Sequence, residues 1–103
     1  MTRAVERLRS AANPAKSALL AELARIACSG PEVCETRDAC AAAYALHVEG
    51  VGLTQAAKLQ LTTGQDLEAA KVLGAAELKL REAASKVADC TDREASLRRR
   101  HRL

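Results

Sequence analysis

ACSGPEVCETRDAC, residues 27–40, sets three cysteines at even intervals: Cys28, Cys34 and Cys40. A fourth, Cys90, stands alone near the other end of the chain. Ser29-Gly30-Pro31, in the middle of the stretch, reads as a helix stop followed by a helix start. Glycine adopts the left-handed backbone that ends a helix, and proline cannot continue one but suits the first turn of the next. Ser29 and Glu32 also have the spacing of a capping box. One helix is therefore expected to arrive at about residue 28 and another to leave at about residue 31.

The cysteine spacing argues against a metal site. Structural zinc sites show a close cysteine pair, separated by two to four residues, and redox motifs a pair separated by two. Here five residues separate each neighbouring pair. On one continuous helix, Cys34 and Cys40 lie about 9 Å apart along the axis and roughly 120° apart in direction. They cannot converge on an ion, nor can they be bridged to each other. Of the three pairings that four cysteines allow, two survive: Cys28–Cys34 with Cys40–Cys90, or Cys28–Cys40 with Cys34–Cys90. In a tight antiparallel turn centred on Gly30 and Pro31, Cys28 lies level with Val33, beside Cys34. That favours the first pairing, and a looser turn after Cys28 would favour the second. Paired cysteines imply the periplasm or the secreted space, and reduced ones the cytoplasm.

The rest of the chain explains why staples would be needed. Its 103 residues are the size of one domain. Of these, 23 are Ala, and only 21 are Leu, Val or Ile. There is no Phe or Trp, and Tyr44 is the one tyrosine. A core this thin commonly relies on disulfides, metals or association. Ala, Leu, Glu, Lys and Arg dominate, which favours helix almost throughout. No apolar run reaches the length of a membrane span, and no signal-peptide h-region follows the charged start MTRAVERLRS.

Asn13-Pro14 is a helix-start signal, and Ala15, Leu19, Leu23 and Ile26 then recur at helical spacing over a helix of about 14–28. Residues 3–11, with Val5 and Leu8 on one side, form either a short leading helix or a frayed arm. After Pro31, Cys40, Tyr44, His47 and Val51 share a stripe that Ala41, Ala45 and Val48 widen. Gly50 and Gly52 could end this helix, each costing roughly 1 kcal/mol relative to Ala, as could Thr62-Thr63-Gly64. Cys90 decides between them. If the helix ended at the glycines, Cys90 would fall level with about residue 13; if it runs to Thr62, Cys90 falls level with about residue 37, between Cys34 and Cys40. Gly50 and Gly52 then read as close-packing positions on a seam. The returning helix has the clearest pattern. Ala69, Leu73, Ala76, Leu80, Ala83, Val87, Cys90 and Leu97 alternate steps of three and four, with Glu94 the polar interruption, and alanine at alternate positions admits a close partner helix. Thr91 and Glu94 form a second capping-box match, which predicts a short helix after Cys90.

Few residues suggest chemistry. His47 is a candidate metal or haem ligand, but no second histidine or Glu-x-x-His motif joins it, and His101 sits in a basic tail. Glu35 and Asp38 lie one turn apart, with Arg37 beside them, and like Glu32 they suit the positive end of a helix. The serines lack a nucleophile motif and the five glycines are scattered rather than grouped in a phosphate loop. The tail supplies Arg98, Arg99, Arg100 and Arg102, a candidate phosphate contact, with no aromatic residue to stack bases. Net charge is +3 at residues 1–30, −2 at 31–64 and +2 at 65–103, so no single basic face is expected.

The fold class expected is all-α, in a single domain over 1–103. A long antiparallel helical hairpin, about 31–62 and 65–90, is joined by the shorter helix 14–28 and stapled by disulfides. Residues 1–12 and 98–103 are candidates for frayed ends. The function expected is a non-enzymatic helical interaction or structural module without cofactor, binding a protein partner or a second copy. Nucleic-acid binding through the tail is the alternative, and a metal or haem site at His47 the second alternative.

Overall fold

The structure, a computed structural model, describes residues 2–101; Arg102 and the side chains of Asn13, Pro14 and His101 lie outside the described residues. Every element is a helix: α1 (Thr2–Ser10), α2 (Asn13–Ala24), α3 (Pro31–Thr62) and α4 (Asp66–His101). α3 and α4 form the long antiparallel hairpin, closely packed along its length. At about 1.5 Å per residue the longer helix spans about 54 Å, which matches the 54 × 21 × 19 Å extent of the molecule. The radius of gyration, 15.9 Å, exceeds the roughly 13 Å of a compact domain of this length.

The leading stretch is a helix, and α1 buries Ala4, Val5 and Leu8. α2 starts after Ala12, whose backbone is extended, with proline in its first turn and no side-chain cap. It ends at Ala24, four residues before the expected 28. Arg25 and Ile26 donate to the carbonyls of Glu22 and Leu23 at 3.2 and 3.1 Å, tightening the last turn. The Arg37 guanidinium on α3 donates to the Ile26 carbonyl at 2.8 Å. That side chain satisfies a carbonyl that a longer helix would have satisfied itself, and it frees residues 25–30 to turn.

Gly30 caps α3 at φ 121°, a backbone open only to glycine, and no side-chain cap bond forms. The expected Ser29–Glu32 capping box is therefore absent. α3 runs through Gly50 and Gly52 without a break. It closes on Gly64 at φ 78°, where Gly64 donates to Leu61 at 3.3 Å and Gln65 donates to Gln60 at 2.9 Å. These two bonds are a Schellman stop. α4 does not restart after Cys90, contrary to the second capping-box match. The Thr91 hydroxyl donates to the Val87 carbonyl at 3.0 Å, a mid-helix bond rather than a cap.

The hairpin closes on rows of small residues seven apart. On α4 these are Ala69, Ala76, Ala83 and Cys90, and on α3 Thr36, Ala43, Gly50 and Ala57, all buried. The α3 row differs from the expected stripe: Cys40 and Tyr44 are buried, His47, Val48, Val51 and Ala41 are half-buried, and Ala45 is exposed. Gly50 is a close approach, since a Cβ there would lie 2.8 Å from the Leu80 side chain. Gly52 is not, because a Cβ there would meet nothing within 4 Å. The close-packing role expected of both glycines belongs to Gly50 alone.

α1 and α2 lie at one end of the hairpin. Val5, Leu8 and Leu23 from them join Cys40, Ala43, Tyr44 and Cys90 in one cluster, with Val87 packed against it. The molecule thus has a four-helix base. Beyond the first turn of α2, at the level of His47, the hairpin continues as a two-helix arm ending at Gly64.

Candidate interaction surface

All four cysteines are paired. Cys28 bonds Cys34, with Cα atoms 5.2 Å apart, and Cys40 bonds Cys90, with Cα atoms 4.9 Å apart. The first bond ties the connection after α2 to the start of α3. The second joins the two long helices beneath Val5 and Leu8. Both lie in the base, and neither leaves a thiol for redox chemistry. Among the described residues no group of three or more His, Cys, Asp or Glu is placed to hold a metal ion.

His47 faces α2 rather than a cofactor site. Its Nε2 lies 3.4 Å from the Lys16 Nζ. Burial, and then the Lys16 charge, hold the imidazole below its ordinary pKa. The neutral ring accepts from the ammonium, and a neighbouring cation is a poor setting for a metal ligand. The two side chains border a groove of about 320 Å³ between α2 and α3, with Val48, Val51 and Gly52 along its floor. No signal in the sequence joins Lys16 to His47, because they stand on different helices 31 residues apart.

The basic tail continues α4. Arg98 pairs with Glu6 at 3.1 Å and Arg100 pairs with Glu32, so both are tied to the base. Arg99 is exposed, and Arg102 lies outside the described residues. Glu35 and Asp38 are both exposed, with Asp38 paired to Arg37 at 3.0 Å. They do not converge on a cleft. The polar residue within the predicted α4 seam, Glu94, is only 3 % exposed, and its Oε2 has no hydrogen-bond partner among the described residues. Burial raises its pKa, Arg9 and Arg98 oppose the rise, and Glu6 adds to it.

The arm is different in kind. Of the seam residues on α4, Ala69, Ala76 and Ala83 are buried, Leu80 and Val87 half-buried, and Leu73 is 41 % exposed. Leu59, Leu61, Leu67 and Leu78 are exposed as well, which places all five exposed large hydrophobics of the described residues between positions 59 and 78. Residues 48–82 carry four basic and five acidic side chains, so the arm is nearly neutral and the positive charge resides elsewhere. Thr54, Leu73 and Leu80 line an open groove of about 580 Å³ along one side of the arm. Scattered exposed leucines are ordinary on a monomer; here they are confined to one projecting element.

Neither a family model, nor a curated protein, nor a solved structure matches the chain. No described helix is long and apolar enough to cross a membrane. The residues themselves therefore carry the functional argument.

Proposed function

We propose that the chain is a non-enzymatic helical module of the periplasm or secreted space that acts through protein contacts, with the disulfide-stapled base holding the arm out for a partner. The observation that carries this reading is the confinement of the exposed leucines to the arm. The two disulfides are compatible with an oxidising compartment. Nucleic-acid binding gains little from the tail, because Arg98 and Arg100 would first have to leave Glu6 and Glu32. A metal or haem at His47 would have to displace Lys16.

Two measurements test the proposal. A photoreactive side chain at Leu73, on the arm, should give protein adducts in the native compartment, while one at exposed Ala42, on the base, should not. Absence of adducts from Leu73 would refute the contact reading. A thiol count on protein taken from that compartment should find none free; four free thiols would refute the compartment.

A further inference from the structure

We infer that the arm's partner is a second copy of this chain, docked on the side of the hairpin lined by Leu61, Leu73 and Leu80. This rests on the reading of the arm as a protein-contact surface, and it names the occupant.

The hairpin presents two heptad rows on one side: 40, 47, 54 and 61 on α3, and 73, 80, 87 and 94 on α4. In the base those rows are covered. Cys40 and Val87 pack under the Val5, Leu8 and Leu23 cluster, His47 meets Lys16 of α2, and Glu94 lies in the field of Glu6 and Arg9 from α1. In the arm the same rows are bare. Thr54, Leu73 and Leu80 open onto the groove, and Leu61, one heptad beyond Thr54, is half-exposed. The base thus has two helices laid over the hairpin and the arm has none. A second arm supplies the missing pair and turns the two-helix stretch into a four-helix bundle.

Area and charge agree with that occupant. A compact monomer of 10.9 kDa exposes roughly 5,600 Å². This chain exposes 6459 Å², an excess of about 900 Å² over the whole elongated molecule, which leaves room for the roughly 800 Å² that each partner of a stable complex buries. A twofold dimer sets the same patch against itself, so the patch must be self-compatible. A nearly neutral arm meets that condition, because two copies bring little net charge together. A strongly basic or acidic partner would find both signs mixed along the arm, Glu77 and Arg81 among them, rather than one sign to complement.

Two measurements decide the matter. In sedimentation equilibrium the oxidised full chain should approach twice its single-chain mass as concentration rises through the micromolar range. Leu61→Glu with Leu73→Glu should stay at the single-chain mass, while Leu78→Glu, on the outer face of α4, should associate like the wild type. Far-UV circular dichroism checks that each variant keeps its helices. A wild type that stays at single-chain mass overturns the inference, as does association lost in Leu78→Glu but kept in the double variant. In addition, a photoreactive side chain at Leu73 should yield an adduct containing only this chain. An adduct with a different protein overturns self-association and leaves the protein-contact reading standing, whereas no adduct at all overturns both.

Discussion

Gly50 and Leu80 meet across the hairpin so closely that a methyl group on the glycine would lie 2.8 Å from the leucine side chain. This contact and the Cys40–Cys90 bond share one register, which places position 36 level with 94, 43 with 87 and 57 with 73. Each of those levels sets a smaller residue on α3 against a larger one on α4. Gly50 sets how near the helices come, whereas Gly52 contributes nothing to the approach. Substituting each glycine by alanine separates packing from helix propensity. Gly52→Ala should raise stability by up to about 1 kcal/mol, the propensity gain alone. Gly50→Ala receives the same gain but overpacks the seam, which typically costs about 1–3 kcal/mol, so its melting temperature should fall. Adding Leu80→Ala to Gly50→Ala should restore the room and remove the steric part. Equal stabilisation by both glycine substitutions would show that the seam is looser than described.

The two disulfides should differ in what they contribute. Cys40–Cys90 spans 50 residues and Cys28–Cys34 spans 6. On loop-closure entropy alone the first stabilises by about 4 kcal/mol and the second by about 2 kcal/mol. Urea titrations of Cys40→Ala with Cys90→Ala, and of Cys28→Ala with Cys34→Ala, should show the larger midpoint loss for the long-range pair. The reverse order would mean that chain entropy does not govern these bonds.

The architecture was legible where single residues have single meanings. Gly30-Pro31 and Gly64 bound the long helix because left-handed glycine and helix-starting proline admit few alternatives. The α4 pattern stood out because leucine alternates with alanine. Its counterpart on α3 did not, because Thr36, Ala43, Gly50 and Ala57 carry no hydrophobic signal; smallness at seven-residue spacing was the available clue. Capping boxes misled twice, at Ser29 and Thr91, since the same spacing occurs without a cap. At the early end of α2, Arg37 reaches the Ile26 carbonyl, a contact between positions on different elements. The Lys16–His47 neighbourhood and the bareness of the arm are likewise tertiary facts, set by where α1 and α2 stop.

His47 should make folding acid-sensitive near neutrality. Its folded-state pKa lies below the ordinary 6.5, because burial and then Lys16 disfavour the imidazolium. The unfolded state therefore binds the proton more readily. The stability from the neutral ring is full above pH 6.5 and is lost as pH falls through the folded value. Lys16→Gln removes one of the two causes, so the His47 ring titration, followed by NMR, should move upward towards 6.5. A midpoint unmoved in Lys16→Gln would separate the two side chains.

Glu94 should act with the opposite sign. Burial raises its pKa above the ordinary 4.5, against the pull of Arg9 and Arg98, while Glu6 adds to the rise. The folded state therefore holds the proton more tightly than the unfolded state. The stability linked to that proton is full below pH 4.5 and is lost as pH rises through the folded value. At neutral pH the buried carboxylate, one oxygen unpartnered among the described residues, is a cost. Glu94→Gln keeps the shape and removes the charge. It should stabilise the protein at pH 7, because a neutral amide costs less to bury than a carboxylate. Below pH 4.5 that advantage should vanish. If Glu94→Gln destabilises at pH 7, the carboxylate is held by Arg9 and Arg98 strongly enough to outweigh its burial, and α1 is fastened to α4 by charge rather than by Val5 and Leu8 alone.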